Sequence, residues 1–182
     1  MHPVLTYIID DSDKVISINS EFTAFAKESD AASLEYSVHG KSIWNFIGID
    51  KLQVLYMQLF EGVRKKQKEV NINFRCDNSM VMKFMNMVIE PMPENSLKIS
   101  TKVLREITRK KALAREVFYL GILNGIPMCS NCNRIKIDPP IGWIEVDKAL
   151  NSDLISKELN VAFDLCETCE DYFKKTIEKL EQ

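Results

Sequence analysis

The sequence predicts an α+β protein: an antiparallel five-stranded sheet with helices on one face, then a connecting helix and a small C-terminal module. Three observations lead there. Short runs of period two flank one stretch of period 3.6. A basic stretch without Gly or Pro follows at 100–120. Four of the five cysteines then fall in two Cys-x-x-Cys pairs, at 129/132 and 166/169. The expected divisions are 1–99, a connector at 100–121, and 122–182.

The elements follow in order. "VLTYIID" (4–10) and "KVISI" (14–18) are runs rich in β-branched residues, and the "DSD" between them is turn chemistry, because Asp and Ser bond their own nearby backbone. Asn19 and Ser20 are candidate caps for a short helix that turns Phe22, Phe25 and Ala26 inward. Gly40 and Gly48 punctuate "HGKSIWNFIG", which is expected to bury Ile43, Trp44, Phe46 and Ile47. Residues 50–66 carry the clearest helix: Leu52, Leu55, Tyr56, Leu59, Phe60 and Val63 line one face, and "RKKQK" places cations at its end. The period then changes. In "VNINFRC" Val70, Ile72, Phe74 and Cys76 alternate with polar residues, which predicts a half-buried strand with Cys76 as a small buried hydrophobe. "DNS" turns the chain, "MVMKFMNMVIEPM" returns, and "SLKIST" is the last strand. Five of the eight methionines lie within Met80–Met92, and their plainest role is filling core gaps.

The segments "YIIDDSDKVISINSEF" and "GKSIWNFI", the helix at 50–66 and the hairpin "RCDNSM" leading to "EPM" resemble the PAS sensor-domain family over residues 4–103. The family's usual exit motif, of the Asp-Ile-Thr-Glu kind, is replaced by "KVLREI". The resemblance implies a domain that binds a small molecule against the inner face of its sheet, or pairs with a partner, and passes on a change. The flavin-photoadduct subfamily needs an Asn-Cys-Arg segment before the long helix; "SLEYSVHGK" stands there, and no cysteine precedes residue 76. Haem-binding members carry an axial His, commonly on the long helix, where this chain has none. His39 and Trp44 remain as candidates for contact with a cofactor. Their plainer readings are a polar loop residue before Gly40 and a core tryptophan.

Residues 100–120 are rich in good helix formers. A helix there would bring Val103, Ile107, Ala114 and Val117 onto one seam, widened by Leu113 and Leu120 and interrupted by Lys110. Many PAS proteins dimerise through a helix leaving the domain at this point. The resemblance therefore implies a homodimer through 100–120, with packing on the same chain as the alternative.

The cysteine spacing is the most specific signal. Two intervening residues make one tight turn, so each pair can aim both sulfurs at one point, and two such pairs supply the tetrahedral ligand set of a structural zinc ion. Cys129, Cys132, Cys166 and Cys169 are the expected metal ligands. Iron or an iron–sulfur cluster on the same thiolates, and a thiol redox switch, are the alternatives. A c-type haem needs CxxCH, but Asn133 and Glu170 follow these pairs. Trp143, Val146 and Leu150 are expected on one helical face between the pairs, and Phe173, Ile177 and Leu180 on another after them. "MCSNCNRI", "IGWIEVDKAL" and "LCETC" also resemble a four-cysteine tail that follows bacterial PAS and receiver domains. This chain departs from it at Pro139–Pro140 and lacks its His-Gly before, and Pro within, the second pair.

Composition narrows the function. Hydrophobic content of 46% allows a packed core, and a net charge of −2 offers no general attraction to nucleic acid or an anionic membrane. The charge is uneven: residues 98–118 carry +5 and residues 138–182 carry −6. The acidic end argues against a nucleic-acid-binding zinc ribbon. No apolar run approaches the ~20 residues of a membrane span, and the start lacks the order of a signal peptide, so a cytoplasmic protein is expected, where thiols stay reduced. With only His2 and His39 there is no Ser/His/Asp or Cys/His constellation, and no phosphate-binding Gly loop appears. The expectation is a non-enzymatic sensory or interaction protein that acts by contact with a protein partner.

Overall fold

The computed structural model describes residues 3–28, 38–48, 50–109, 114–116, 125–155 and 158–182. They form two compact units, and neither is one continuous stretch. The first holds Met1–Asn73, Met85–Val103 and Phe173–Gln182; the second holds Phe74–Phe84 and Leu104–Tyr172.

The first unit is built on an antiparallel sheet of β1 (Val4–Ile9), β2 (Val15–Ile18), β3 (Val70–Arg75), β4 (Val81–Pro91) and β5 (Leu97–Thr108), in the order β2-β1-β5-β4-β3. The far ends of β3, β4 and β5 run on into the second unit. Asp10 turns the first hairpin: its Oδ1 accepts the backbone N–H groups of Ser12 at 2.9 Å and Lys14 at 2.8 Å. Asn19 caps α1 (Ser20–Glu28) as expected, accepting from the Phe22 N–H at 2.9 Å. The same oxygen accepts from the Thr6 N–H at 3.0 Å, so the cap is also fastened to β1. The stripe on α2 (Asp50–Lys66) is core: Leu55, Tyr56, Leu59, Phe60 and Val63 are buried with Ile9, Ile72, Met85, Ile89, Leu97 and Ile99. The last part of the chain belongs here too. In α4 (Glu167–Glu181) Phe173 is fully buried, its ring edge-on to Tyr56 at 5.3 Å between centroids. A Cβ on Gly62 would lie 2.7 Å from Leu180 Cδ2, so the missing side chain lets α4 lie close to α2.

The second unit carries β6 (Ala114–Glu116), β7 (Ile126–Cys129), β8 (Arg134–Ile137), β9 (Gly142–Glu145), the short helix α3 (Val146–Asn151) and β10 (Glu158–Asp164). The sheet order is β6-β10-β7-β8-β9; β10 runs parallel to β6 and β7, and β7-β8-β9 is an antiparallel meander. Met128, Ile135, Val146, Ala149 and Val161 form the core. A Cβ at Gly125 would meet the Ala162 backbone nitrogen at 2.8 Å, so only glycine fits where the chain enters β7 beside β10.

Several expectations are corrected. Residues 97–108 are strand, so the helix expected from Ser100 does not form there. Leu97, Ile99 and Thr101 are buried while Lys98 and Ser100 are half-buried, and β1 pairs with Leu97–Lys102 in continuous register. That sheet pairing overrides weak helix propensity. Ala114 is also in a strand, while Lys110, Leu113, Val117 and Leu120 lie outside the described residues. The helical seam that suggested a homodimer through 100–120 is therefore missing at Val103, Ile107 and Ala114. Cys76 is exposed, because burial in β3 changes phase: Val70 and Ile72 are buried, then Arg75 and Asp77. Phe46 is 39% exposed rather than core. Trp143 lies on β9, so it shares no helical face with Val146 and Leu150. Among the methionines at 80–92, Met85 is buried and Met80 is exposed.

Candidate metal centre

Strand pairing assembles the cysteines. β7 and β10 run parallel with Cys129 opposite Asp164, so both strands end at the same level of the sheet. The Ser130 N–H donates to the Asp164 carbonyl at 2.9 Å and ties the two turns that follow. The first pair closes as a tight turn between β7 and β8: the Asn133 N–H returns to the Cys129 carbonyl at 2.8 Å, and Asn133 takes a left-handed φ of 56°. The second pair opens α4, where the Cys169 and Glu170 N–H groups donate to the Cys166 carbonyl at 3.0 and 2.9 Å. A helix N-terminus favours negative charge, and hence thiolate.

The result is a compact ligand set. The sulfurs of Cys129, Cys132, Cys166 and Cys169 all lie within 4.8 Å of one another, and Cys132 and Cys166 are 3.8 Å apart. Cys129, Cys166 and Cys169 are buried; Cys132 is half-buried. These four residues could hold a metal ion. Their protonation is mutual. Hydrogen bonds from the Cys132 and Cys169 thiols hold Cys129 far below the usual thiol range. The same sharing pushes Cys132 up to about 12, with burial adding to the shift, and drives Cys169 upward as well. Four thiolates at this spacing need a cation between them.

Residues beyond the cysteines serve the sulfurs. The Cys166 N–H donates to Cys129 Sγ at 3.4 Å, and Asn131 Nδ2 donates to Cys169 Sγ at 3.4 Å. Cys132 and Cys166 add to the upward pull on Arg134, whose chief cause is its hydrogen bond to Glu145. Behind the first pair lies a buried ion network that the sequence did not reveal. The Asp77 carboxylate accepts both Arg75 and Arg109. Arg75 also pairs with Glu145 at 2.5 Å, and Arg109 with Asp147. The side chains of Asp77 and Arg109 are each 2% exposed. Burial alone would lower the Arg75 pKa, but Asp77 and then Glu145 raise it above its ordinary value. The period-two pattern of β3 pointed Cys76 inward and Arg75 outward. The only available signal was the pair of opposite charges two residues apart, Arg75 and Asp77.

The other two candidates sit elsewhere. His39 is exposed, with Nε2 2.9 Å from the Ile16 carbonyl oxygen. Trp44 is half-buried; its Nε1 donates to Asp13 at 3.0 Å, and its ring lies tilted against Phe60 at 5.4 Å between centroids. Neither lines the apolar pocket of about 150 Å³ formed by Tyr7, Val15, Ile18, Phe22, Val38, Ile43 and Phe46.

No protein-family model matches the chain, and no curated protein does. Among solved structures, it is similar to the photoactive yellow protein domain from the sensor histidine kinase Ppr of Rhodospirillum centenum. The identity is 15% and the TM-score 0.39, over 54% of this chain and 84% of that one. A likeness this slight carries no argument about function. No helix among the described residues is long and apolar enough to cross a membrane.

Proposed function

We propose that this chain is a non-catalytic PAS-type sensory or interaction protein whose second unit is built around one structural zinc ion. The observation that carries the zinc reading is the spacing of the sulfurs. A tetrahedron with Zn–S bonds of ~2.3 Å has edges of ~3.8 Å. The Cys132–Cys166 distance is 3.8 Å, and no pair exceeds 4.8 Å. That spacing suits one ion; an iron–sulfur cluster would spread its thiolates over several irons. Four thiolates also close the coordination shell and leave no position for a reacting water, which favours a structural role over a catalytic one.

The sensory reading is supported by the motifs of residues 4–103 and by the five-stranded antiparallel sheet with α2 packed on it. The apolar pocket beside Tyr7 and Phe22 has room for a small ligand. Output would pass by contact with a protein partner in the cytoplasm.

Elemental analysis of protein purified without added metal tests the zinc reading. One zinc per chain and no visible colour are expected; iron, or no stoichiometric metal, refutes it. Mass spectrometry of small molecules released from the same protein tests the sensory reading, which expects one apolar compound at stoichiometric yield. A preparation that releases none, and binds none from a metabolite extract, counts against it.

A further inference from the structure

A divalent ion on four thiolates carries a net charge of −2, and burial makes sulfur charge costly unless donors face it. One such donor is a side chain that Cys-x-x-Cys spacing does not single out. Asn131, inside the first pair, is 6% exposed and reaches across the centre, with Nδ2 3.4 Å from Cys169 Sγ on the second pair. Its backbone carbonyl accepts the Arg75 N–H at 2.8 Å. Arg75 is in turn fixed by Asp77 and Glu145. Asn131 is thus held by its backbone from one side while its carboxamide points at a sulfur on the other.

We propose that Asn131 is a positioning residue of the metal centre: its amide N–H holds the Cys169 thiolate on the ion and lowers that sulfur's nucleophilicity. This rests on the zinc reading above. An N–H···S bond withdraws electron density from the sulfur, so the thiolate that receives it is slower to attack an electrophile; the same bond holds the sulfur in place and favours thiolate over thiol, which slows the protonation by which it leaves the metal. Removing partners of this kind typically costs 10–100-fold in metal affinity.

The test uses the full chain, loaded with zinc and separately with Co²⁺. Asn131→Leu removes the donor at similar volume, and Asn131→Asp replaces it with an acceptor. Ile135→Val, in the fully buried core of the same unit, lowers stability without touching a sulfur. Expected are zinc loss to a chromogenic chelator about tenfold faster in Asn131→Leu and faster still in Asn131→Asp. The thiolate-to-cobalt charge-transfer band should move to longer wavelength in both, and stay in place in Ile135→Val. Iodoacetamide supplies a readout at the sulfur itself: peptide mapping of the zinc form should find Cys169 alkylated faster in Asn131→Leu than in the wild type, with Cys129, which keeps its own N–H donor, unchanged. Cys169 alkylated no faster in Asn131→Leu than in the wild type, or zinc loss from Asn131→Leu within twofold of wild type with an unmoved band, overturns the proposal while leaving the zinc reading intact. A wild type that binds neither metal refutes both.

Discussion

Replacing Asp77 with Asn should be among the most damaging changes available in the second unit. The side chain is 2% exposed and accepts from two guanidinium groups, Arg75 and Arg109, the latter at 2.7 Å. Its Oδ1 also accepts the Lys83 N–H at 3.2 Å. Asn keeps the shape but removes the charge and turns an NH₂ toward cations. Arg75 retains Glu145 and Arg109 retains Asp147, so neither is stripped completely. Among the described residues, no acceptor faces the buried Arg109 Nε. Breaking a buried pair by removing one partner costs about 3–5 kcal/mol, a large share of the ~5–15 kcal/mol that holds a domain folded. Urea denaturation of the metal-loaded protein, followed by the exchange of amides in β7, β8 and β10, measures it. A companion variant tests the mechanism: Asp77→Leu combined with Arg75→Met and Arg109→Met removes charge and partner together, and should recover much of the loss. An Asp77→Asn protein within ~1 kcal/mol of wild type would refute the reasoning, because a buried carboxylate between two arginines cannot be that dispensable.

Four other outcomes are expected. Phe60→Ala should cost about 3–5 kcal/mol in thermal or denaturant unfolding, since the ring is 2% exposed beneath Trp44 and Tyr56; a near-neutral result would remove the α2 stripe from the core. Gly62→Ala should be close to neutral, because the Leu180 tip 2.7 Å from the new Cβ can swing away and helix propensity gains ~1 kcal/mol. Gly62→Val should cost ~1–3 kcal/mol and speed tryptic cleavage after Lys174 and Lys179; resistance equal to wild type would show that α4 does not lean on α2. Zinc retention should weaken as pH falls: Cys132, pushed up to about 12, must lose its proton to bind, so acid returns protons to the sulfurs and releases the ion. Chelator transfer rates equal at pH 6 and pH 8 would argue that thiolates are not the ligands.

What the sequence made legible followed from local chemistry. Asn19, the turn at 11–13 and the α2 stripe announce themselves because the cause of each lies within a few residues: a cap, a turn, a helical period; the side chain that fastens the turn, Asp10, lies one residue before the stretch read as turn. The four cysteines were legible for a related reason, since each pair is a local turn and only their meeting is long-range. β5 was misread where its cause is distant. Leu97, Ile99, Thr101, Val103 and Ile107 do alternate, but Lys, Arg, Leu and Glu between them read equally well as helix, and pairing with β1 decides the matter. Arg75 and Asp77, Arg109, and Asp147 belong to three separate stretches of chain, and no short window of sequence contains their network. Asn131 was hidden by its position: inside a Cys-x-x-Cys pair the eye rests on the cysteines.

The interleaving of the two units has a consequence for biosynthesis. The first unit takes its core from Met1–Asn73 and Met85–Val103, and is finished by Phe173–Gln182, which bring Phe173 and Leu180. Multidomain chains commonly fold in order as they emerge, N-terminal part first. Here that order is incomplete: a nascent chain halted between residues 109 and 172 has made all five strands of the sheet but not the helix end that covers Tyr56. Within that window Tyr56 and the surface around Gly62 stay uncovered. A premature stop in the final turns of α4 would then be punished out of proportion to the few residues it removes.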